Sequence, residues 1–372
     1  MSNVPRTVPS PESRIHGCLL GGALGDSLGY AVEFDPIDEI RRRFGAAGLR
    51  DFSALDGGTH FSDDTQMTLY TVDGIVEALE WANSGVGADA NACVWLAYLR
   101  WLDTQGVAVP ESAPRPQSRW IDGQEVLRHR RAPGNACLSG LATGEMGTIV
   151  RPVNPDSKGC GTVMRSAPFG LVPHIPAESV YKLSSDAASL THGHPSARQS
   201  AGAFSLLIHS LVQGSNLAEA SQAALARVLA DDGAAPELRE RLDAAIRLAG
   251  QAGADPVSSS VPGSVLSPEE LVRALGEGWV AEEALAVGLY AVLATATQSE
   301  VNGEPDPVAH FKAAIALAIN HSGDSDSTGS IAGNILGAYY GTDCLPADWL
   351  EALEAPEVIR GMAGQLVAVT SA

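Results

Sequence analysis

The chain has 372 residues, 45 % of them hydrophobic and only 5 % aromatic, with a formal net charge of −20. That charge repels phosphodiester backbones and no basic block offsets it, so binding of a free nucleic-acid duplex is not expected. No apolar run reaches membrane-spanning length, no signal-peptide pattern opens the chain, and the five cysteines lack Cys-x-x-Cys spacing; no membrane partner, disulfide framework or zinc knuckle is expected, and the cytoplasm is the expected compartment.

Residues 1 to 12 hold three prolines and little apolar content and are expected to form a disordered leader, leaving 13 to 372 as one domain. From Ile15 onward helical signals dominate. Helices are expected over 14–29, 36–44, 64–82, 88–103, 178–190, 195–213, 216–231, 235–252, 267–275, 280–296, 307–320, 327–340 and 347–353. No alternating run is long enough for a sheet core. The Gly- and Pro-rich stretches 104–122 and 131–178 are expected as loops, and loops that long in a compact domain usually carry function. The expected fold class is therefore all-α, in one compact multi-helix domain.

Two helices carry glycine ridges: Gly17, Gly21, Gly25 and Gly29 near the start, and Gly329, Gly333, Gly337 and Gly341 near the end. Four-residue spacing keeps each set on one helical face. An interior glycine costs about 1 kcal/mol relative to alanine, so the ridges are expected to allow close packing, against each other or against shared neighbours, bringing the sequence ends together.

Oxygen ligands concentrate in three segments: "GDSLGYAVEF" with Asp26 and Glu33, "HFSDDTQM" with Ser62, Asp63 and Asp64, and "GDSDST" with Asp324, Asp326, Ser327 and Thr328. Capping explains part of this, since Asp63 with Gln66 has the form of a capping box and Ser327 or Asp326 suits the cap of a helix beginning near 328. Adjacent carboxylates exceed what capping needs and repel one another without a cation. Hard cations such as Mg²⁺ or Mn²⁺ take all-oxygen shells, and only His60 and His321 lie near, so zinc is disfavoured. An EF-hand loop starting at Asp324 fails because its twelfth position is Ile335, and no Gly-x-Gly-x-x-Gly follows a predicted strand.

The segments "GCLLGGALGDSLGYAVEF", "HFSDDTQMTLY", "APGNACLSGL", "GCGTVMRSAPFGL", "LTHGHPSA" and "GDSDSTGSIAGNILGAYYG", in this order over roughly residues 14 to 342, resemble the ADP-ribosylglycohydrolase family. The resemblance implies a compact all-α domain with a binuclear Mg²⁺ centre, Mn²⁺ being a possible substitute. It places Ser62, Asp63, Asp64, Asp324, Asp326 and Ser327 on the metals and Glu33 beside them as ligand or gate. Glu33, Asp63, Asp64 and Asp326 are the implied catalytic carboxylates. Gly159, Cys160, Gly161 and Thr162, ahead of Met164 and Arg165, fall on the loop that binds the diphosphate and distal ribose, with His192 and Asn135 as further substrate contacts. Cys160 departs from the Asn common in relatives, which leaves backbone N–H donation undisturbed. By themselves His192 also suits a hydrogen-bonded core histidine, Arg165 an ion-paired arginine and Cys160 an inert thiol.

The implied activity is metal-dependent hydrolysis of the glycosidic bond joining ADP-ribose to an acceptor, protein arginine first, releasing ADP-ribose. Serine-, nucleobase- or small-molecule-linked ADP-ribose, a catalytically inactive ADP-ribose binder and a phosphohydrolase cutting the diphosphate are the alternatives. The expected partner is an ADP-ribosylated protein or small ADP-ribosyl metabolite, with acceptor choice made by the loops 104–122 and 145–158.

Overall fold

The computed structural model describes residues 8–56, 59–252, 265–296, 300–301 and 304–371. Ser10 starts the first helix, α1 (Pro11–Tyr30): its hydroxyl accepts from the Ser13 amide at 3.1 Å, and Pro11 occupies the first turn, where a missing N–H costs nothing. Helix thus begins inside the expected leader, of which residues 1–7 lie outside the described residues. From Gly17 to Gly29 the helix is buried on every side.

What buries it most closely is α14 (Ser325–Tyr340), itself buried apart from Tyr339. A Cβ added at Gly17, Gly21, Gly25 or Gly29 would overlap the carbonyl of Gly337, Gly333, Gly329 or Ser325 respectively. One series falls as the other rises, so the helices are antiparallel and the ridges interlock along their length. The two ridges pack directly on each other. Gly341 also ends α14 in the left-handed region at φ 66°, where glycine alone is unstrained. The buried Arg14 guanidinium donates to the Ala338 and Tyr339 carbonyls at the α14 terminus and to Leu211 O.

The other helices surround this pair: α2 (Ile37–Phe44), α3 (Asp63–Asn83), α4 (Ala90–Thr104), α5 (Asn135–Leu141), α6 (Ala167–Gly170), α7 (Ala177–Ala188), α8 (Pro195–Val212), α9 (Leu217–Leu229), α10 (Pro236–Ala252), α11 (Pro268–Leu275), α12 (Ala281–Thr295), α13 (Pro307–Ile319), α15 (Ala347–Ala352) and α16 (Pro356–Thr370). α3 packs on α4, α7 on α8 and α10 on α12. The fold is all-α; the only strands among the described residues are Glu300–Val301 and Glu304–Pro305, paired antiparallel. Among the described residues no helix is long and apolar enough to cross a membrane.

Three helices depart from the sequence reading. α5 and α6 lie inside a stretch expected as loop, and at seven and four residues they are too short to show a period. α16 was not expected, because Gly361 and Gly364 dilute its helical signal; tertiary packing holds it, with Gly361 lying against the Trp120 ring and the helix against α1 and α3.

A buried ion network joins α3, α4 and the 104–122 loop. Arg100 pairs with Asp73 and, at 3.1 Å, with Asp122; Arg119 reaches Asp73 at 2.8 Å and Glu80 at 3.0 Å.

Candidate metal centre

The start of α3 is set from beneath by Asp26 of α1. Fully buried, its carboxylate accepts from the Ser62 amide at 2.9 and 3.1 Å, from the Thr65 amide at 3.0 Å and from the Thr65 hydroxyl. These are the orphan donors of a helix N-terminus. The cap residue is Ser62, whose hydroxyl accepts from the Asp64 amide at 3.2 Å; Asp63 forms no capping box, since the Gln66 amide group donates to His129 O and accepts from Trp101 and Gln105. With both cap functions filled by others, Asp63 and Asp64 are left for another task. Asp63 Oδ2 accepts from the Gly134 amide at 3.2 Å, next to the exposed Asn135 that begins α5. Arg131 braces the same end, donating to Phe61 O and pairing with Glu354.

The glycine zipper then brings the other acidic segment in. Gly29 touches the backbone of Ser325 and Asp326, so the turn after α1 and the start of α14 meet. Glu33, Asp324 and Asp326 are all buried, and each offers one oxygen such that the three lie within 4.8 Å of one another. Asp324 lies beside Asp326, the Cys160 thiol and Ser327. The α14 cap is Asp324, with no side-chain capping bond, instead of Asp326 or Ser327. Thr328 turns inward to Ala318 O at 2.8 Å and Asp324 O at 2.9 Å, so it is no ligand.

Burial dominates the electrostatics here, with neighbouring carboxylates adding to it. It pushes Asp26 up to about 7 and Glu33 up to about 10, the latter reinforced by Asp326, Asp324 and Asp63. Asp63, Asp64 and Asp324 are held well above the usual carboxylate range for the same two reasons. No Lys or Arg hydrogen-bonds or ion-pairs with any of these carboxylates among the described residues, and the buried Glu33 Oε2 and Asp64 Oδ2 have no partner. A set of oxygen donors this close needs shared protons or a cation. Carboxylates together with the Ser62 and Ser327 hydroxyls fit a hard divalent ion. The histidines do not join: His321 Nε2 bonds Thr328 Oγ1, and His60 pairs with Glu354.

The loop Gly159–Thr162 is fixed by an antiparallel bridge to the start of α12: the Cys160 amide donates to Trp279 O at 3.1 Å and the Ala281 amide to Lys158 O at 3.0 Å. The Cys160 amide is therefore committed to protein, correcting the expectation that it is free to donate to a ligand. Cys160 itself lies between Asp324 and Ser327, its thiol pushed well up by burial and by Asp324, which matches an inert thiol. Thr162 spends its hydroxyl on Ala197 O at 3.0 Å. Met164 packs in the core. His192 lies under the loop, where a Cβ at Gly159 or Gly161 would stand 3.3 Å from its Nε2. Among the described residues Arg165 has no ion-pair partner and it is not turned toward the carboxylates; it is enclosed beside Tyr98.

The two long loops differ in what they touch. Asn154, in 145–158, donates to Thr191 O at 2.9 Å and accepts from the Gly193 amide at 2.9 Å, which ties that loop to His192. The 104–122 loop ends in the Asp73 network through Arg119 and Asp122. Sequence reasoning gave no role to Asn154 or Thr191, whose partners are distant in the chain. It also missed Phe34 and Trp279, which stack at 6.2 Å and 20° while 69 % and 40 % exposed. They rim the centre: Phe34 follows Glu33, and Gly278, next to Trp279, touches Asp324.

Comparison with known proteins agrees with this geometry. The sequence profile of the family described as ADP-ribosylglycohydrolase matches residues 7–372. Similar proteins include ADP-ribosylhydrolase ARH3 of Danio rerio, 25 % identical over 95 % of this chain and 90 % of that one. The ADP-ribosyl-[dinitrogen reductase] glycohydrolase of Rhodospirillum rubrum is 22 % identical over 94 % and 92 %. A solved structure titled ADP-ribosylglycohydrolase-related protein complex superposes with a TM-score of 0.60 at 23 % identity, over 97 % of this chain and 99 % of that one, and shows the shared fold.

Proposed function

The chain belongs to the ADP-ribosylglycohydrolase family and is a hydrolase of ADP-ribose linkages, and from that premise we propose that it cleaves the bond between ADP-ribose and an arginine side chain in the cytoplasm, using two Mg²⁺ ions. The observation that carries the reading is the buried convergence of Glu33, Asp324 and Asp326 within 4.8 Å, without a protein cation.

Asp63, Asp64, Asp324 and Asp326, with Ser62 and Ser327, would hold the ions. The chemistry such ions supply is Lewis-acid charge, which neutralises the carboxylates and acidifies a bound water. Asp26 and the Gly134 amide orient the Asp63–Asp64 pair. Positive charge developing at the anomeric carbon of the distal ribose is favoured by the surrounding carboxylates, as in glycosidases generally. Glu33, buried next to the exposed Phe34 with an unpartnered Oε2, is suited to gate the entrance. The Gly159–Thr162 loop and His192 would receive the ADP part, and the exposed Asn135 would be a further contact. Arginine is favoured as acceptor because a guanidinium suits both the buried carboxylate cluster and the exposed rings of Phe34 and Trp279.

The test is a panel of arginine-, serine- and DNA-linked ADP-ribose substrates, assayed for free ADP-ribose with Mg²⁺, after EDTA, and after Mg²⁺ or Mn²⁺ is restored. Release from the arginine substrate that stops with EDTA and returns with metal is expected. Undiminished turnover in EDTA would sink the metal assignment, serine- or DNA-selective release the acceptor, AMP release the bond, and tight ADP-ribose binding without turnover the catalytic reading.

A further inference from the structure

Arg165 is only 2 % exposed, yet no carboxylate pairs with it among the described residues. Its guanidinium lies 4.4 Å over the Tyr98 ring, faces Met67 Sδ at 3.3 Å and Cys137 Sγ at 3.4 Å, and donates to Thr191 Oγ1 at 2.6 Å. Keeping an unpaired cation out of water is costly, so a purpose for it is to be sought in that last contact.

A guanidinium can only donate. Thr191 Oγ1 therefore uses a lone pair on Arg165, and its single hydrogen is free for its other neighbour, His192 Nδ1, at 2.8 Å. Nδ1 then accepts and the ring proton sits on Nε2, because an Nδ1–H donating to the second lone pair of Oγ1 would leave the buried hydroxyl hydrogen without an acceptor among the described residues. That nitrogen is the one beneath Gly159 and Gly161. Burial, and secondly the charge of Arg165, pushes His192 down to about 3, so the ring stays neutral at working pH.

We propose that Arg165 and Thr191 are positioning residues: the relay Arg165 to Thr191 to His192 locks the Nε2–H tautomer, so that a neutral N–H donor is aimed at the oxygen-rich part of ADP-ribose beside the glycine loop. This rests on the reading of that loop as the ADP-ribose site. It moves Arg165 from ligand contact to the layer behind the ligand. Asn154 supports the same element by holding the Thr191 carbonyl.

The experiment begins with side-chain ¹⁵N NMR of the ligand-free, histidine-labelled wild-type protein. The expected His192 pattern is a protonated Nε2 and an acceptor Nδ1; a protonated Nδ1 overturns the relay whatever the protein's substrate. Thr191→Val then removes the donor at nearly constant volume. It should abolish the tautomer bias and raise KM roughly tenfold, the size of one lost hydrogen bond, while kcat changes less than about twofold, and Thr191→Ser should restore both. An unchanged KM, or equal loss with Val and Ser, also overturns it. Failure of the wild type to release or bind ADP-ribose would instead remove the functional reading and leave the tautomer result standing.

Discussion

Two groups of buried carboxylates lie at opposite extremes of compensation. Asp73 is fully buried, and Arg100 and Arg119 both pair with it, pulling its carboxyl back against a burial that pushes it up. Asp63, Asp64, Asp324 and Asp326 are just as deep, yet their neighbours are other carboxylates and hydroxyls. The first group is neutralised within the chain and holds α3, α4 and the 104–122 loop together. The second has no protein cation paired with it among the described residues, and on the proposed reading its charge is left for a bound metal, which is how a metal-binding site would differ from a structural ion pair at equal burial.

The sharpest way to break that contrast is to remove one carboxylate from each group. Asp326→Asn should lower turnover at least about a hundredfold, on the scale of losing one transition-state-stabilising group, while the metal-free protein melts no lower than wild type because a repelling charge has gone. Asp73→Asn should do the reverse, costing about 3 to 5 kcal/mol in urea unfolding by stranding Arg100 and Arg119. Equal destabilisation by both would erase the distinction. Saturating Mg²⁺ should raise stability by about 2.7 kcal/mol at a hundredfold excess over its dissociation constant, seen as a shift in Tm that Asp326→Asn abolishes and Asp73→Asn retains.

The smallest effect is on pH dependence. In metal-free protein Asp26 titrates at about 7 in the fold, against about 3.9 in an unfolded chain. The folded state holds a proton that the unfolded state releases in this window, so the stability it contributes is complete below about pH 4 and lost as pH rises toward 7. EDTA-treated protein should therefore melt lower at about pH 7 than at about pH 5, and Mg²⁺ should narrow the gap. A metal-free melting temperature that rises over this interval would show that other groups outweigh Asp26.

Much of this molecule is written locally. The glycine spacing announced that two helices approach closely, because the absence of side chains at i and i+4 is visible without knowing the partner. The Asp-Asp and Asp-x-Asp segments marked where carboxylates would crowd, and the fold does bring Asp324 and Asp326 together with Glu33. Boundaries were harder. Pro11 reads as a sign of disorder in the sequence although it sits in a first turn, and α16 is a helix that its neighbours stabilise more than its own residues do.

What tertiary structure alone decided is the use of each polar group. Asp26 and Asp64 look alike in the sequence, yet one is saturated by amides at the start of α3 and the other has an unpartnered oxygen. Arg165 adjoins the Gly159–Thr162 loop in sequence but points behind it, to Thr191. The type of a residue fixes how many protons it can give or accept; which partners take them depends on contacts made only when segments far apart in the chain have packed together.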